Sequence, residues 1–308
     1  MTDRLHVGVV GVPGQWSSEA LADALEARTG RRLLVDLGRA VFDSQRGGVF
    51  YEDLDLCALD GLVIKKLGHD YSPSMLDRIE LLLSVAEAGV TVLSHPASIL
   101  RLVDRLSGTL TLQRAGIPIP PTVVTEDVGR AAEAVQRFGR ALLKPLFSTK
   151  ARGMRMLVAG PDVDLQAEIR DYKANAGPVL YVQKRVEHRG RDLGVTFLGG
   201  RYLGTYARVS ATDSWNTTIH AGGSYAAHEP SPAVIEVAQR AQALFDLDFT
   251  TVDVAETPEG PMVFEVSAFG GFRGLQRGLG LDAASLLADH VVERIGKSKR
   301  LRIVGRGQ

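Results

Sequence analysis

The chain has 308 residues, 45% of them hydrophobic, with 36 basic side chains against 36 acidic ones. Zero net charge argues against a nucleic-acid or membrane-surface partner, and no apolar run approaches the roughly 18–20 residues that cross a bilayer. The single cysteine, Cys57, excludes an internal disulfide and fits a reducing cytoplasm, as does the lack of a basic-then-apolar leader.

The first hundred residues alternate strand and helix signals. Leu5 to Val10 reads as a short strand ending in Gly11-Val12-Pro13-Gly14, and Ser17 to Arg28 as a helix. Leu33 to Leu37, Gly61 to Lys65 and Thr91 to Leu93 read as further strands. Ser74 to Ala88 is an amphipathic helix closed by Gly89. This alternation predicts a parallel sheet covered on both faces. The first glycine turn lacks the G-x-G-x-x-G spacing of a dinucleotide site, and Pro13 interrupts it. Cys57, in an apolar alternation, reads as buried filler.

Beyond His95-Pro96 the pattern changes. Ser98 to Ala115 reads as one helix, followed by Gly116 and an extended exit at Pro118, Pro120 and Pro121. Val128 to Phe138 is helical, and Ala141 to Pro145 is a strand running into a loop. Val179 to Arg185 and Asp192 to Phe197 are strands, the second turning at Gly199-Gly200. Pro232 to Phe245 and Leu286 to Ile295 are helices. From Lys297 the basic, glycine-bearing end reads as a frayed tail.

Two constellations carry chemistry. Thr250 to Glu256 and Pro261 to Glu265 form a hairpin around Glu259-Gly260, which sets Asp253 beside Glu265, with Ser267 on the same face as Glu265. Adjacent carboxylates repel unless a cation lies between them, and magnesium shared with nucleotide phosphates meets that need. A charged surface hairpin is the alternative. The second constellation is Lys144, in the apolar strand Leu142-Leu143-Lys144-Pro145, and the following loop Ser148-Thr149-Lys150-Ala151-Arg152-Gly153. A lysine there needs an anionic partner or loses its charge, and phosphate oxygens supply one. The Gly-Lys-Ser/Thr core of a Walker loop is missing, and a solvated basic loop is the alternative.

Taken in order, these residues resemble the ATP-grasp superfamily, above all its RimK-type branch, the ribosomal-protein glutamate ligase and its relatives. The resemblance is strongest from about Asp104 to Leu281. It rests on Asp104-Arg105, the segment Thr111 to Thr122, Lys144, the loop Ser148 to Gly153, Tyr181 to Val186, Asp192, Arg208, His220-Ala221-Gly222-Gly223, Asp253, Glu265 and Ser267. It implies an α/β ATP-grasp architecture. A parallel-sheet lobe (residues 1–97) would precede two α+β lobes (98–180 and 181–297) that clamp a nucleotide, with a basic tail at 298–308.

The resemblance further implies an ATP-dependent ligase that joins a carboxylate to an amine through an acyl phosphate, adding an amino acid to a peptide, protein or small molecule. Its cofactors would be ATP and Mg2+ (or Mn2+). Arg208 would act on the transferred phosphate. Arg105, Lys144, Ser148, Thr149, Lys150, Gly153, Gln183, Lys184, Arg185, Val186 and Asp192 would hold the nucleotide. Asp253, Glu265 and Ser267 would hold the metal. Asn216, Thr218, His220 and Arg273, with Trp215 and Trp16 nearby, are substrate candidates. Self-association is left open. The chain departs from the family pattern where Ser267 replaces an asparagine, Asn216 and Thr218 replace an arginine and an asparagine, and Lys150 and Arg152 stand in a loop usually rich in glycine. Two other readings stay open: an ATP-grasp kinase that forms no amide, and a nucleotide-binding regulator without catalysis.

Overall fold

The computed structural model describes residues 4–149, 151–188, 190–210 and 222–305, with side chains through Leu301. The first lobe is built on a four-stranded parallel sheet of order β2-β1-β6-β7, with β1 at Val7–Val10, β2 at Leu34–Val35, β6 at Gly61–Ile64 and β7 at Thr91–Leu93. As the alternation predicts, both faces are covered. Helix α1 (Trp16–Thr29) packs Leu21 and Leu25 against Val7, Val9 and Val63. Helix α2 (Ser74–Glu87) packs Ile79 and Leu82 against Val10, Leu62 and Ile64 on the other face.

Between β2 and β6 the chain forms an antiparallel meander of β3 (Ala40–Asp43), β4 (Gly48–Tyr51) and β5 (Leu54–Asp55) that the sequence reading did not foresee. The predicted strand Leu33 to Leu37 shrinks to two residues because the Asp36 side chain accepts from Gly38 N and starts a tight turn. Cys57 is half-buried at the margin of the core rather than within it.

The helix expected from Ser98 to Ala115 is two helices, α3 (Pro96–Val103) and α4 (Arg105–Arg114). Asp104 separates them in an extended conformation, and its carboxylate accepts from the backbone of Leu106 and Ser107. N-capping requires a non-helical residue, so the break is the price of the cap. It also places Arg105 at the very start of α4.

The middle lobe is an antiparallel sheet of order β10-β9-β11-β8, with β8 at Thr122–Thr125, β9 at Arg140–Lys144, β10 at Arg155–Val158 and β11 at Leu180–Lys184. Helices α5 (Val128–Phe138) and α6 (Leu165–Ala176) cover one face and share with the sheet a core of Val135, Leu143, Ile169, Leu180 and Val182. The opposite face carries Lys144, Tyr181 and Gln183.

The third lobe is a five-stranded antiparallel sheet of order β14-β13-β12-β15-β16. Its strands are β12 (Arg191–Leu198), β13 (Arg201–Val209), β14 (Ser224–Ala227), β15 (Phe249–Thr257) and β16 (Gly260–Ser267). Helix α7 (Pro232–Ala243) packs on it, and α8 (Phe272–Leu279) lies against β13 and β14.

The last helix, α9, runs from Ala283 to Gly305, through the segment expected to fray. It returns to the first sheet: Ile295 lies over Gly61, Thr91 Oγ1 donates to Ser298 Oγ at 3.0 Å, and Lys299 pairs with Asp60 at 3.0 Å. These contacts tie α9 to the first lobe as far as Lys299.

Candidate functional site

The hairpin β15–β16 sets the register of the acidic residues. Asp253 pairs with Glu265 and Thr251 with Ser267, so all four share one face. On the other side Asp253 pairs with Gly194 of β12. Arg208 of β13 pairs with Asp192 and reaches the same row. Its Nε donates to Asp192 Oδ2 at 2.9 Å, and its Nη2 lies 2.9 Å from Asp253 Oδ1. Burial works against the guanidinium charge, but Asp192 and Asp253 outweigh it and raise the Arg208 pKa above its ordinary value. Asp192, a nucleotide candidate in the sequence, is buried and held by Arg208.

Burial also pushes the Asp253 carboxyl up to about 7; Asp192 and Glu265 add to the shift and Arg208 opposes it. Glu265 meets a second arginine: Arg105 Nη1 lies 3.2 Å from its Oε2, and Arg105 Nε donates to the Pro145 carbonyl at 3.2 Å. Each acidic residue of the pair therefore has its own guanidinium. Asp253 Oδ2, Glu265 Oε1 and the Ser267 hydroxyl make no hydrogen bond among the described residues. Two carboxylate oxygens and a hydroxyl on one strand face suit a magnesium ion that draws its other ligands from water and phosphate. No larger cluster of histidine, cysteine and acidic side chains exists among the described residues.

From the middle lobe, Lys144 faces this row across the cleft, with Nζ 5.8 Å from the centre of the Phe264 ring on β16. Its partner is not an anion. It donates to Gln183 Oε1 at 2.5 Å, and the Gln183 amide nitrogen donates to Thr122 Oγ1 at 3.1 Å. Burial, then repulsion from Arg105, lowers the Lys144 pKa to about 7 despite Glu265 and Asp253. Of the two outcomes open to a lysine in an apolar strand, an anionic partner or a lost charge, Lys144 shows the second: its charge is weakened.

Gln183 is thus a side-chain partner of Lys144. The N–H groups of Lys184 and Arg185 donate to the carbonyls of Pro121 and Arg140, and Val186 follows just beyond the end of β11. In the loop, Ser148 Oγ donates to the Arg152 carbonyl at 2.6 Å, and Arg152 donates to Thr149 at 3.2 Å. Arg152 also reaches out of the lobe to Asp70 at 2.7 Å. Gly153, with φ +69°, rests against Pro145. Lys150, Trp215, Asn216, Thr218 and His220 lie outside the described residues. Arg273 of α8 lies over the Trp16 ring, 5.4 Å from its centre, so two distant substrate candidates meet.

Lys65 belongs to none of the motifs read from the sequence. It is buried at the end of β6, donating to the carbonyls of Phe269 and, at 2.7 Å, Gly270, just past Ser267. Its ammonium lies 4.1 Å from the Phe272 ring centre. A Lys65-Lys66 pair closing an apolar strand was the available signal.

A cleft lined by Arg105, Thr109, Leu146, Ser148, Glu265 and Ser267 thus joins α4, the loop after β9 and the acidic strand. Residues 103–291, more than half the chain, match the model of the RimK-like ATP-grasp domain. The chain belongs to that family. It is 24% identical to the tetrahydromethanopterin:alpha-L-glutamate ligase of Methanosarcina acetivorans, over 91% of this chain and 96% of that protein. Its fold matches the RimK-domain ATP-grasp protein of Sphaerobacter thermophilus with a TM-score of 0.73 at 22% identity, covering 93% of this chain and 99% of the other. It also matches the ATP-grasp ligase PsnB, solved with a precursor variant, Mg and ADP, with a TM-score of 0.72 at 20% identity over 95% and 99% of the two chains. The chain is accordingly an ATP-dependent carbon–nitrogen ligase of the ATP-grasp type.

Proposed function

We propose that this ligase activates a substrate carboxylate as an acyl phosphate and passes the acyl group to an amine, with ATP bound in the cleft between the middle and third lobes. The supporting observation is the convergence of Arg105, Lys144 and Arg208, from three separate elements, on the Asp253–Glu265 row. The carboxylate oxygen attacks the γ-phosphorus as its bond to the β,γ-bridging oxygen breaks, releasing ADP. The amine nitrogen then attacks the acyl carbon, phosphate leaves, and the amine gives up a proton.

No covalent nucleophile is required of the protein. Its part is to position the reactants and stabilise charge. Lys144 and Arg105 hold phosphate oxygens, and Arg208, steadied by Asp192, meets charge on the transferred phosphoryl group. Ser148, Thr149, Lys150 and Gly153 belong to the loop that covers the phosphates and excludes water. The strand end from Gln183 through Lys184, Arg185 and Val186 borders the adenine. Asp253, Glu265 and Ser267 would hold magnesium, which when bound neutralises phosphate charge.

This reading keeps three lobes along the lines of 1–97, 98–180 and 181–297, with the middle one taken as β8 to β11 with α5 and α6. Strand β11 pairs within its sheet as far as Lys184, α3 and α4 pack Ile99, Val103 and Leu112 into the core of the other two, and α9 leads back to the first lobe. The substrate class it favours is an amino acid joined to a peptide, protein or small molecule, because the Methanosarcina relative is named for alpha-L-glutamate and PsnB was solved with a precursor peptide. Arg273 beside Trp16 suits an anionic substrate group. The lone Cys57 fits the cytoplasm, and no helix among the described residues is long and apolar enough to cross a membrane.

The test is a screen for phosphate release with ATP, magnesium and pairs of acids and amines, including L-glutamate with hydroxylamine. ADP and phosphate that appear only when both acid and amine are present support the reading. A phosphorylated product formed without any amine would overturn it in favour of the kinase.

A further inference from the structure

Tyr206 on β13 occupies a seat made of glycines. Its register partner on β12 is Gly194, and Gly194 in turn pairs with Asp253. Tyr206, Gly194, Asp253 and Glu265 therefore form one cross-strand row on one face, and the glycine leaves room for the phenol ring. A Cβ at Gly194 would stand 2.4 Å from Tyr206 Cζ and 2.6 Å from its Oη. The ring is covered by α8, where Gly274 and Gly278, four residues apart, present the same side. A Cβ at Gly274 would lie 2.2 Å from Cζ, and one at Gly278 would lie 2.9 Å from Tyr206 Cβ. Two glycines weaken an eight-residue helix, and the seat for this ring accounts for both.

The residue as a whole is 2% exposed, with the Tyr225 ring edge-on at 5.5 Å. Its hydroxyl is placed differently from the ring. It makes no hydrogen bond among the described residues, and it is not among their fully enclosed unpaired polar atoms. It lies near the backbone at Gly271, where a Cβ would be 3.0 Å from Oη, on the strand face that carries Arg208 and Asp253. A phenol held this firmly is a preorganised, uncharged donor without an acceptor.

We propose that Tyr206 Oη donates a hydrogen bond to an oxygen of the phosphoryl group transferred in this site, making it a further catalytic residue beside Arg208. The proposal rests on the ATP-grasp ligase reading above. A neutral donor suits the place, because Arg208 is already shared between two carboxylates and another cation beside it would be repelled.

Tyr206→Phe keeps the ring in its seat and removes only the hydroxyl. Calorimetry on the full chain would compare Mg·ADP, Mg·AMPPNP and Mg·ADP with aluminium fluoride. The expected result is Mg·ADP affinity within twofold of the wild type, with about tenfold weaker binding of AMPPNP or of the ADP–aluminium fluoride pair, the size of one hydrogen bond to a charged group. Affinities within twofold for all three probes would overturn the proposal, since a purely structural ring predicts that result. An equal loss for all three would also overturn it. A wild-type chain that binds none of them overturns the nucleotide reading itself, and this proposal with it.

Discussion

Replacing Lys65 with methionine should destabilise the protein by an amount that grows with pH. Lys65 is 3% exposed, and its partners are two backbone carbonyls and an aromatic face, with no carboxylate paired to it among the described residues. Burial, with help from Lys66, lowers its pKa from 10.5 to about 7. In the unfolded chain the amine keeps its proton up to the higher value. Between pH 7 and 10.5 the unfolded state therefore binds more protons, and the native state gains stability as pH rises. That contribution is fully present above 10.5 and is lost as pH falls through 7. At about 1.4 kcal/mol per unit, its ceiling is about 5 kcal/mol. Methionine fills similar volume but leaves two carbonyls without their donor, at about 1–3 kcal/mol each. At pH 9.5 the substitution removes both the hydrogen bonds and the linked stability. At pH 6.5 the wild type already bears the cost of a buried ammonium, so the difference shrinks by about 2 kcal/mol or more. Urea unfolding of both proteins at pH 6.5, 8 and 9.5 measures this directly. A difference that stays constant across the three would refute the reasoning.

Three other substitutions probe the cleft. Glu265→Gln should lower ATP turnover about a hundredfold or more, yet change stability by less than about 1 kcal/mol, because the Glu265 side chain is 44% exposed and the buried Arg105 keeps its bond to the Pro145 carbonyl and an amide oxygen as acceptor; steady-state assays and thermal melts would separate the two effects. Lys144→Met should weaken ATP about tenfold or more. It should also abolish a proton uptake on ATP binding at pH 8, where the wild-type amine is mostly neutral before phosphate arrives; calorimetry in buffers of different ionisation enthalpy would detect this. Asp104→Ala removes the cap of α4 and should cost about 1 kcal/mol in chemical denaturation. Because Arg105 follows the cap directly, nucleotide affinity should fall as well.

The residues that were legible in the sequence are those whose signals are local. The β15–β16 hairpin carries its own turn and its own alternation, so the Asp253–Glu265 pairing could be read from one short segment. The α3–α4 break was hidden because apolar spacing continues through Asp104, and a capping aspartate looks like any polar position on a helix. The meander from Ala40 to Asp55 was hidden because its strands carry no alternation of buried and exposed positions: Val41 and Phe42 of β3 are both exposed, and β4 is buried throughout. Lys65 and Tyr206 owe their roles to groups far along the chain. Lys65 meets carbonyls from Phe269 and Gly270, and Tyr206 is seated by Gly194, Gly274 and Gly278. No periodicity connects such positions. The Arg208 environment lay between these extremes: the residue could be singled out, but its bridge between Asp192 and Asp253 required the register of three strands.

The distribution of apolar cores suggests how the cleft works. The first and third lobes share their buried clusters: Leu62 and Ile79 belong to the same core as Val195 and Val252, and Val63 lies in the same core as Phe272 and Leu275. The middle lobe keeps its own core around Leu143, Ile169 and Val182. Its named ties to the rest are largely polar. They include the contact of Arg105 with the Pro145 carbonyl, the 2.8 Å Thr109–Tyr181 hydrogen bond and the exposed Arg152–Asp70 pair. Moving this lobe as a unit would exchange polar contacts for water while its own core stays intact, so the motion costs little relative to unfolding any part of it. Lys144 and the loop after β9 ride on that lobe, whereas Arg208, Asp253 and Glu265 belong to the third. Closing the lobe onto a nucleotide would therefore bring cations and acidic residues together around the phosphates, and opening it would separate the two sets without disturbing either.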